Sequence, residues 1–170
     1  MNGVIFYDSK YGATADYAGW IAEATGLPIY QISNPEADPD RFDFLVVGSP
    51  VYLYKVMLRS WIEMHIPCLT GRPVLLFTVS GAPAGDRLDG WLADSLPRAF
   101  VAHARHFALR GRIDRQKLSW VDRFLLDWDA RRNPDPVEAR REREGFDAMD
   151  RKAIAPLVAA VRGLQRAAAA

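Results

Sequence analysis

The sequence contains only one cysteine, Cys68, among its 170 residues. A single thiol cannot form an internal disulfide, and no second cysteine is present to help it hold a metal ion. We therefore expect a buried thiol in a reducing, cytoplasmic environment, and no metal site.

The sequence also has little excess charge and no long hydrophobic run. Its net charge of +1 and pI of about 7.9 give no general attraction to nucleic acid, and they differ from the acidic balance of a small carrier that docks on basic partners. Arg162 and Arg166 interrupt the alanine-rich C-terminus, so no stretch approaches the roughly 20 apolar residues of a membrane span. The N-terminus lacks the basic flank of a signal peptide. We expect a cytoplasmic protein, whose only membrane contact would be peripheral and on the inner face.

The composition is typical of a globular protein, with 49% hydrophobic and 25% charged residues. A chain of this length removes roughly 70% of its extended surface from water when it folds. We predict a single domain over residues 1–170. The amino-acid composition of the chain changes at about residues 114–145, where aromatic side chains are interspersed with Arg and Asp. We interpret this stretch as an insertion.

Short apolar runs alternate with amphipathic stretches along the chain. The pattern predicts buried strands at residues 4–7, 44–48 and 74–79, and weaker strands at 28–32 and 107–113. It predicts helices at 15–24, 57–66 and 88–102, the last bent or divided at Pro97, and a closing helix from Asp147 with a kink at Pro156. This alternation indicates an α/β fold built from parallel βαβ units.

Three of the predicted strands end in small, hydroxyl- or glycine-bearing loops, at residues 9–14, 48–52 and 80–85. Ligands of open α/β sheets bind beyond the carboxyl ends of the strands, where such loops converge. In the first loop, Ser9, Gly12 and Thr14 suit a monophosphate at a helix N-terminus. The loop has neither P-loop nor Gly-x-Gly-x-x-Gly spacing, and a plain strand-to-helix connection with a capping hydroxyl would look the same.

The second loop places an aromatic residue, Tyr52, beside the expected phosphate site. A planar heteroaromatic ring could stack on this side chain. Alternatively, Tyr52 and Tyr54 only pack beneath a loop.

Two segments resemble a known family. Residues 6–14, with Ser-Lys-Tyr-Gly-Ala-Thr, and 46–52, with Val-Val-Gly-Ser-Pro-Val-Tyr, closely resemble the flavodoxin-like domain family, and particularly its branch that contains the quinone-dependent protoporphyrinogen IX dehydrogenase of haem biosynthesis. Residues 120–124 are similar to the Trp-Tyr-Asp-Arg-Phe segment of that branch. The resemblance implies a doubly wound, five-stranded parallel sheet of order 2-1-3-4-5 in a three-layer α/β/α arrangement, with FMN as cofactor.

The resemblance also implies which residues bind the cofactor. In the first loop these are Ser9, Lys10, Tyr11, Gly12, Ala13 and Thr14, which surround the phosphate. The flavin ring is flanked by Ser49, Pro50, Val51 and Tyr52 and by Ser80, Gly81, Ala82 and Gly85. Two features depart from the family pattern: Tyr11 stands where long-known flavodoxins have a third hydroxyl donor, and the 80–85 loop does not copy that of the dehydrogenase.

A flavin performs its own redox chemistry, so we expect no catalytic side chain. The three histidines, His65, His103 and His106, have no partner at ligand spacing and are expected to pack structurally. One hypothesis is an FMN-dependent oxidoreductase that takes electrons from a lipophilic substrate such as protoporphyrinogen and passes them to a quinone. A second is an electron-transfer module for a redox protein partner, and a third is a flavin-free interaction domain.

The insertion separates these hypotheses. Its apolar residues could form a surface for an amphipathic substrate or a membrane, flanked by the basic residues Arg115, Lys117 and Arg123, or could simply pack onto the sheet edge. The apolar residues concerned are Leu118, Trp120, Phe124, Leu125 and Trp128.

Overall fold

The computed structural model of the chain describes residues 1–36, 38–131 and 136–167. Five parallel strands form the central sheet in the order β2-β1-β3-β5-β6. They are β1 (Gly3–Tyr7), β2 (Ile29–Gln31), β3 (Phe44–Tyr52), β5 (Val74–Ser80) and β6 (Arg105–Arg110). A two-residue strand, β4 (Lys55–Val56), pairs antiparallel with the end of β3. The predicted order is confirmed, because β4 lies off the main path of the sheet.

The described residues contain eight α-helices. They are α1 (Ala13–Thr25), α2 (Arg59–Met64), α3 (Ile66–Thr70), α4 (Asp86–Ser95), α5 (Arg98–His103), α6 (Trp120–Ala130), α7 (Pro136–Glu144) and α8 (Ala155–Arg166). One face packs against α2 to α5, as with Trp61 and Phe100, and the other packs against α1 and α8, as with Tyr17 and Val161. The three-layer α/β/α architecture predicted from the sequence is therefore confirmed.

Two phenylalanine rings lie over glycines of the neighbouring strand. Gly3 is the register partner of Phe44, and Gly48 is the register partner of Phe77. A Cβ atom on either glycine would lie 2.1 Å from the facing ring. The sheet thus needs glycine at both positions to keep these rings buried.

Several predicted boundaries were wrong for identifiable reasons. The predicted strand 107–113 ends at Arg110 in the central sheet. The Gly111 amide still donates to the Ser80 carbonyl oxygen, but residues 112–113 leave the sheet and pair with residues 146–147 instead. The predicted helix 57–66 divides at His65, since Pro67 occupies the first turn of α3. Pro156 does not kink a helix; it lies in the first turn of α8, which follows a 3₁₀ turn at Arg151–Ile154.

The predicted insertion is closed at its base by a short antiparallel pair. The strands β7 (Arg112–Ile113) and β8 (Phe146–Asp147) form this pair, with Ile113 opposite Phe146. Between them lie α6 and α7, and residues 132–135 of the insertion are outside the described residues. No helix in the described part of the chain has both the length and the apolar character needed to cross a bilayer.

Candidate functional site

The three loops predicted from the sequence meet at the carboxyl edge of the sheet, around a cavity of about 390 Å³. This volume lies in the range of small-molecule and cofactor sites. Most of the predicted site residues line the cavity: Ser9, Lys10, Tyr11, Ala13, Thr14, Pro50, Val51, Tyr52, Ser80, Gly81 and Ala82. Gly12, Ser49 and Gly85 do not line it.

The first loop leaves two backbone donors available to an anion. Gly12 turns the chain into α1 with a φ of 90°, a conformation that glycine adopts without strain. The Ser9 hydroxyl oxygen accepts hydrogen bonds from the amides of Gly12 at 3.1 Å and Ala15 at 3.3 Å. The amides of Ala13 and Thr14 donate to no acceptor among the described residues. They lie at the positive end of a 13-residue helix, so an anion is favoured there.

Arg112 brings a positive charge to the same loop. A Cβ atom on Gly12 would lie 3.5 Å from its Nη2 atom. That nitrogen donates to Asp16 Oδ2 at 2.7 Å, which holds the guanidinium over the first turn of α1. Arg112 was not among the predicted site residues, because nothing local in the sequence indicates that β7 returns to the first loop.

The second loop extends beyond the predicted residues 48–52 and includes a strained turn. Strand β3 continues to Tyr52 and turns into β4 through Leu53 and Tyr54, whose φ angles are 46° and 64°. Two-residue hairpin turns of type I′ require positive φ at both central positions, which glycine, asparagine and aspartate usually supply. Non-glycine residues held in this region are uncommon and concentrate at functional sites. The turn adds both side chains to the cavity wall.

Ser49 and Tyr52, in the same loop, point in different directions. Ser49 is fully buried, and its hydroxyl oxygen accepts a hydrogen bond from the Leu58 amide at 3.2 Å. Its side chain therefore orders the approach to α2. Tyr52 lines the cavity, with Lys10 Nζ 3.5 Å from the centre of its ring. The alternative that Tyr52 and Tyr54 only pack beneath a loop is wrong, because both line the cavity.

An aromatic and cationic wall lies beside the hairpin. The Tyr54 and Trp91 rings have centroids 5.0 Å apart, and the Arg87 guanidinium carbon lies 5.0 Å from the centre of the Trp91 ring. All three side chains line the cavity. Trp91 and Arg87 belong to α4, and the amphipathic pattern of that helix gave no sign that one edge of it would face a site.

The third loop contributes backbone and small side chains. The Ser80 hydroxyl donates to the Ala82 carbonyl oxygen at 2.9 Å, which folds the loop back on itself. Gly81 lies against the Phe146 ring, and a Cβ atom on this glycine would lie 3.2 Å from the Cζ atom of the ring. Gly85 instead precedes α4 with a φ of 145°, away from the cavity.

The insertion forms the remaining side of the cavity. Leu118 and Leu126 line it together with Ile113 and Phe146 of the strands at its base. Other insertion residues face outward: Trp120 is 81% exposed and Phe124 is 66% exposed. One side of the insertion therefore lines the cavity, and the other presents aromatic residues to the solvent.

A buried carboxylate joins the insertion to two of the loops. Asp122, in the first turn of α6, accepts hydrogen bonds from the hydroxyls of Tyr11 and Tyr52. Lys10 Nζ lies 3.2 Å from its Oδ1 and 3.1 Å from its Oδ2. We call these four residues the Asp122 cluster. Asp122 lies in the segment 120–124 that resembles the family branch, but no role was predicted for it.

The three histidines lie outside the cavity lining and make structural contacts. His65 Nδ1 is 2.7 Å from the Trp61 carbonyl oxygen, and His103 Nε2 is 2.7 Å from that of Arg72. His106 Nε2 is 2.8 Å from Thr78 Oγ1, and burial lowers the pKa of this histidine below its ordinary value. These contacts agree with the predicted structural role.

Cys68, which was expected to be a buried thiol, is only partly buried. Desolvation is the larger cause and a hydrogen bond with Asp40 the smaller one, and together they raise the pKa of this thiol to about 11. Among the described residues, no group of three or more His, Cys, Asp or Glu side chains is placed to bind a metal ion.

The chain is similar to several solved structures. One is a flavoprotein from Lactobacillus acidophilus NCFM in complex with FMN, at 12% identity and a TM-score of 0.47 over 64% of this chain and 91% of that chain. Two-electron reduced Megasphaera elsdenii flavodoxin matches at 22% identity and a TM-score of 0.45, over 62% and 82% of the two chains. Fusobacterium nucleatum flavodoxin bound to flavin mononucleotide matches at 16% identity and a TM-score of 0.43, over 71% and 75%.

A family model covers most of the chain. No curated protein matches the sequence. The model of the flavodoxin domain matches residues 4–130, which include all five parallel strands and the first helix of the insertion. The chain therefore belongs to the flavodoxin domain family.

Proposed function

We propose that the cavity binds FMN and that the protein is an FMN-dependent oxidoreductase acting on a lipophilic small molecule. The donors around the first loop fit the phosphate of FMN. They are the amides of Ala13 and Thr14, the Thr14 side chain that lines the cavity, and the Arg112 guanidinium. A dianionic group gains both from the helix dipole and from a charged donor.

The two other loops fit the flavin ring. Residues 50–54 and 80–83 line the cavity, whose surface is mostly apolar. Such surfaces favour a planar ring and exclude water from it. Bound FMN supplies the transfer of electrons or hydride, and the protein binds it, orients it and controls access to it.

The observation that carries the proposal is the extra wall supplied by the insertion. Leu118 and Leu126 extend the cavity beyond the three cofactor loops with apolar surface. Electron exchange with a protein partner does not require apolar surface beyond that which holds the flavin. A lipophilic substrate gains binding free energy from it, at roughly 25 cal/mol per Å² of apolar surface buried.

Arg112 provides a direct test of the cofactor site. We expect Arg112→Met to weaken FMN binding by roughly tenfold or more, since hydrogen bonds to charged groups contribute about 1.5–3 kcal/mol. Riboflavin lacks the phosphate and serves as the matched control ligand, and its affinity should not change. Calorimetric titration of both flavins measures the effect. Equal weakening of both would contradict the assignment of Arg112 to the phosphate.

The resemblance in sequence makes protoporphyrinogen IX the first substrate to test, with a quinone as the electron acceptor. In that reaction the porphyrinogen is oxidised and the quinone is reduced to the quinol. The test is anaerobic oxidation of protoporphyrinogen by the flavin-loaded protein with menaquinone or ubiquinone present. Turnover would support the oxidoreductase. Absence of turnover, together with normal flavin reduction by a reductase, would support an electron-transfer protein instead.

We also propose that the outer face of α6 touches an anionic bilayer. Trp120 and Phe124 are exposed, and Lys117 and Arg123 lie beside them in the sequence. Aromatic side chains next to basic residues bind at the interface of anionic membranes. We expect the wild-type protein to float with vesicles that contain anionic lipid. The double variant Trp120→Ser, Phe124→Ser should remain unbound in the bottom fraction. Equal flotation of both proteins would contradict this surface.

A further inference from the structure

Asp122 is an unusual residue for a solvent-facing helix. It is only 5% exposed although α6 lies outside the central sheet. A buried carboxylate is costly unless several donors compensate for the lost water. Here Lys10, Tyr11 and Tyr52 supply the donors, and all three come from loops that line the candidate cofactor site.

The local sequence explains how the carboxylate is placed. Ser119 precedes α6, and its hydroxyl oxygen accepts a hydrogen bond from the Asp122 amide at 3.1 Å. A serine followed three residues later by an acidic residue is typical of a helix start. In a capping box, however, the acidic side chain turns back to its own helix. Asp122 instead reaches the two loops, which are far away in the sequence.

The donors around Asp122 match the number of hydrogen bonds that its carboxylate can accept. An ionised carboxylate has about four acceptor positions, which is enough for two hydroxyls and one ammonium group. Lys10 provides a single compensating charge, and its side chain is 32% exposed. The cluster is therefore a complete, charge-assisted set of hydrogen bonds across three segments of the chain, and removal of the carboxylate leaves donors on two loops without their acceptor.

We propose that Asp122 is a positioning residue that fastens the insertion to the cofactor loops, so that cofactor binding and the order of α6 are thermodynamically linked. This inference rests on the proposed binding of FMN. Lys10 and Tyr11 immediately precede Gly12 and the two available amides, so a ligand that orders this loop also orders two donors of the cluster. Linkage is reciprocal: fixing α6 must strengthen cofactor binding by the factor by which the cofactor stabilises α6.

The Asp122 cluster would therefore also determine the position of the apolar wall that the insertion contributes to the cavity. Leu118 precedes α6 and Leu126 lies one turn beyond Asp122, and both line the cavity. When the cluster is formed, this wall stands against the cofactor loops. When the cluster is broken, the insertion keeps its attachment through β7 and β8, and the wall loses its connection to the first two loops.

The experiment is hydrogen exchange of the full chain, with and without saturating FMN, followed in peptides from residues 120–130. Asp122→Asn removes the charge and keeps the shape. Asp127→Asn is the matched control, because Asp127 lies on the same helix and pairs at 2.9 Å with Arg115, inside the insertion. Without FMN, we expect exchange to accelerate by roughly tenfold or more in Asp122→Asn, since charged hydrogen bonds are lost. Asp127→Asn should change it much less.

The linkage itself is tested by adding FMN. We expect FMN to slow exchange of α6 in the wild type and in Asp127→Asn but not in Asp122→Asn. Tyr11→Phe with Tyr52→Phe removes the donors from the other side and should abolish the same effect. Equal protection by FMN in Asp122→Asn, or none in a wild type that visibly takes up flavin, would overturn the linkage and leave the proposed cofactor intact. A wild type without flavin absorbance after incubation with FMN would overturn both.

Discussion

The sheet and the insertion use aromatic residues in opposite ways. Phe6, Phe77 and Phe100 lie in the central layers and are fully buried. Trp120 and Phe124 lie on α6 and are 81% and 66% exposed. The sheet buries its rings between parallel strands and covering helices, whereas the insertion buries one side and presents the other to the solvent.

This difference separates stability from function. Burial of large apolar side chains provides most of the free energy of folding, so the sheet and its flanking helices hold the molecule together. Exposed aromatic residues contribute little to that free energy, and they are available for recognition of a ligand, a membrane or a partner. The candidate site lies where the two regions meet. It combines loops at the carboxyl edge of the sheet with a wall from the insertion.

Loss of a buried tryptophan should produce the largest effect. Trp61 is 7% exposed, and its ring centroid lies 5.4 Å from that of Phe6 and 4.6 Å from that of His65. We expect Trp61→Ala to lower the free energy of unfolding by roughly 3–5 kcal/mol, because a large cavity remains in the core. Urea unfolding followed by circular dichroism measures the change. A loss below about 1 kcal/mol would show that this face of the sheet is less tightly packed than the structure indicates.

We expect the strained conformation of Leu53 to lower the stability of the protein while placing its side chain in the cavity wall. Leu53 has a φ of 46° and is 39% exposed, so its conformation is strained and its burial is modest. We expect Leu53→Gly to raise the free energy of unfolding by about 1 kcal/mol through relief of the strain. Flavin affinity should fall, because Leu53 lines the cavity.

Leu53→Ala is the matched control for this prediction. It removes the same side chain and keeps the strained Cβ atom, so it should lower flavin affinity without the gain in stability. Thermal unfolding and flavin titration of both variants separate the two effects. A gain in stability with alanine as large as that with glycine would contradict the assignment of strain to Leu53.

The sequence predicted the sheet well because its signals are local. Continuous apolar runs at residues 4–7, 44–48 and 74–79 identified three strands of the core, and Gly26 ends α1 in the left-handed conformation that ends many helices. The three loops followed from the strands, because parallel strands share one carboxyl edge. Those predictions needed no knowledge of contacts between distant residues.

The rest of the site was missed because it depends on distant contacts. Arg112 and Phe146 reach the cavity through the β7–β8 pair, whose strands have two residues each and no detectable pattern. Asp122 looks like an ordinary acidic residue at a helix start, and only the fold brings it to Tyr11 and Tyr52. The strain at the hairpin was equally hidden, since a Leu-Tyr turn has none of the usual turn residues.

A smaller effect on the free energy of unfolding is expected at acidic pH, and it arises from His106 in the central sheet. Burial lowers the pKa of His106 below 6.5, so the unfolded chain binds a proton at a higher pH than the folded protein does. Its neutral form favours folding above pH 6.5, and stability is lost as the pH falls below that value. We expect His106→Gln to reduce the loss of unfolding free energy between pH 7 and pH 6 by less than about 1 kcal/mol. Urea unfolding at the two pH values measures it, and an unchanged pH dependence would argue against a buried, neutral His106.

The smallest effect is expected on the outer face of the insertion. Because Trp120 is 81% exposed, its truncation uncovers almost no new apolar surface. We expect Trp120→Ala to change the free energy of unfolding by no more than about 0.5 kcal/mol, in contrast to Trp61→Ala. Urea unfolding under the same conditions compares the two variants directly. A loss of 2 kcal/mol or more would mean that this ring is covered by another part of the protein in solution, and the division between a buried scaffold and an exposed recognition face would then fail at its most exposed residue.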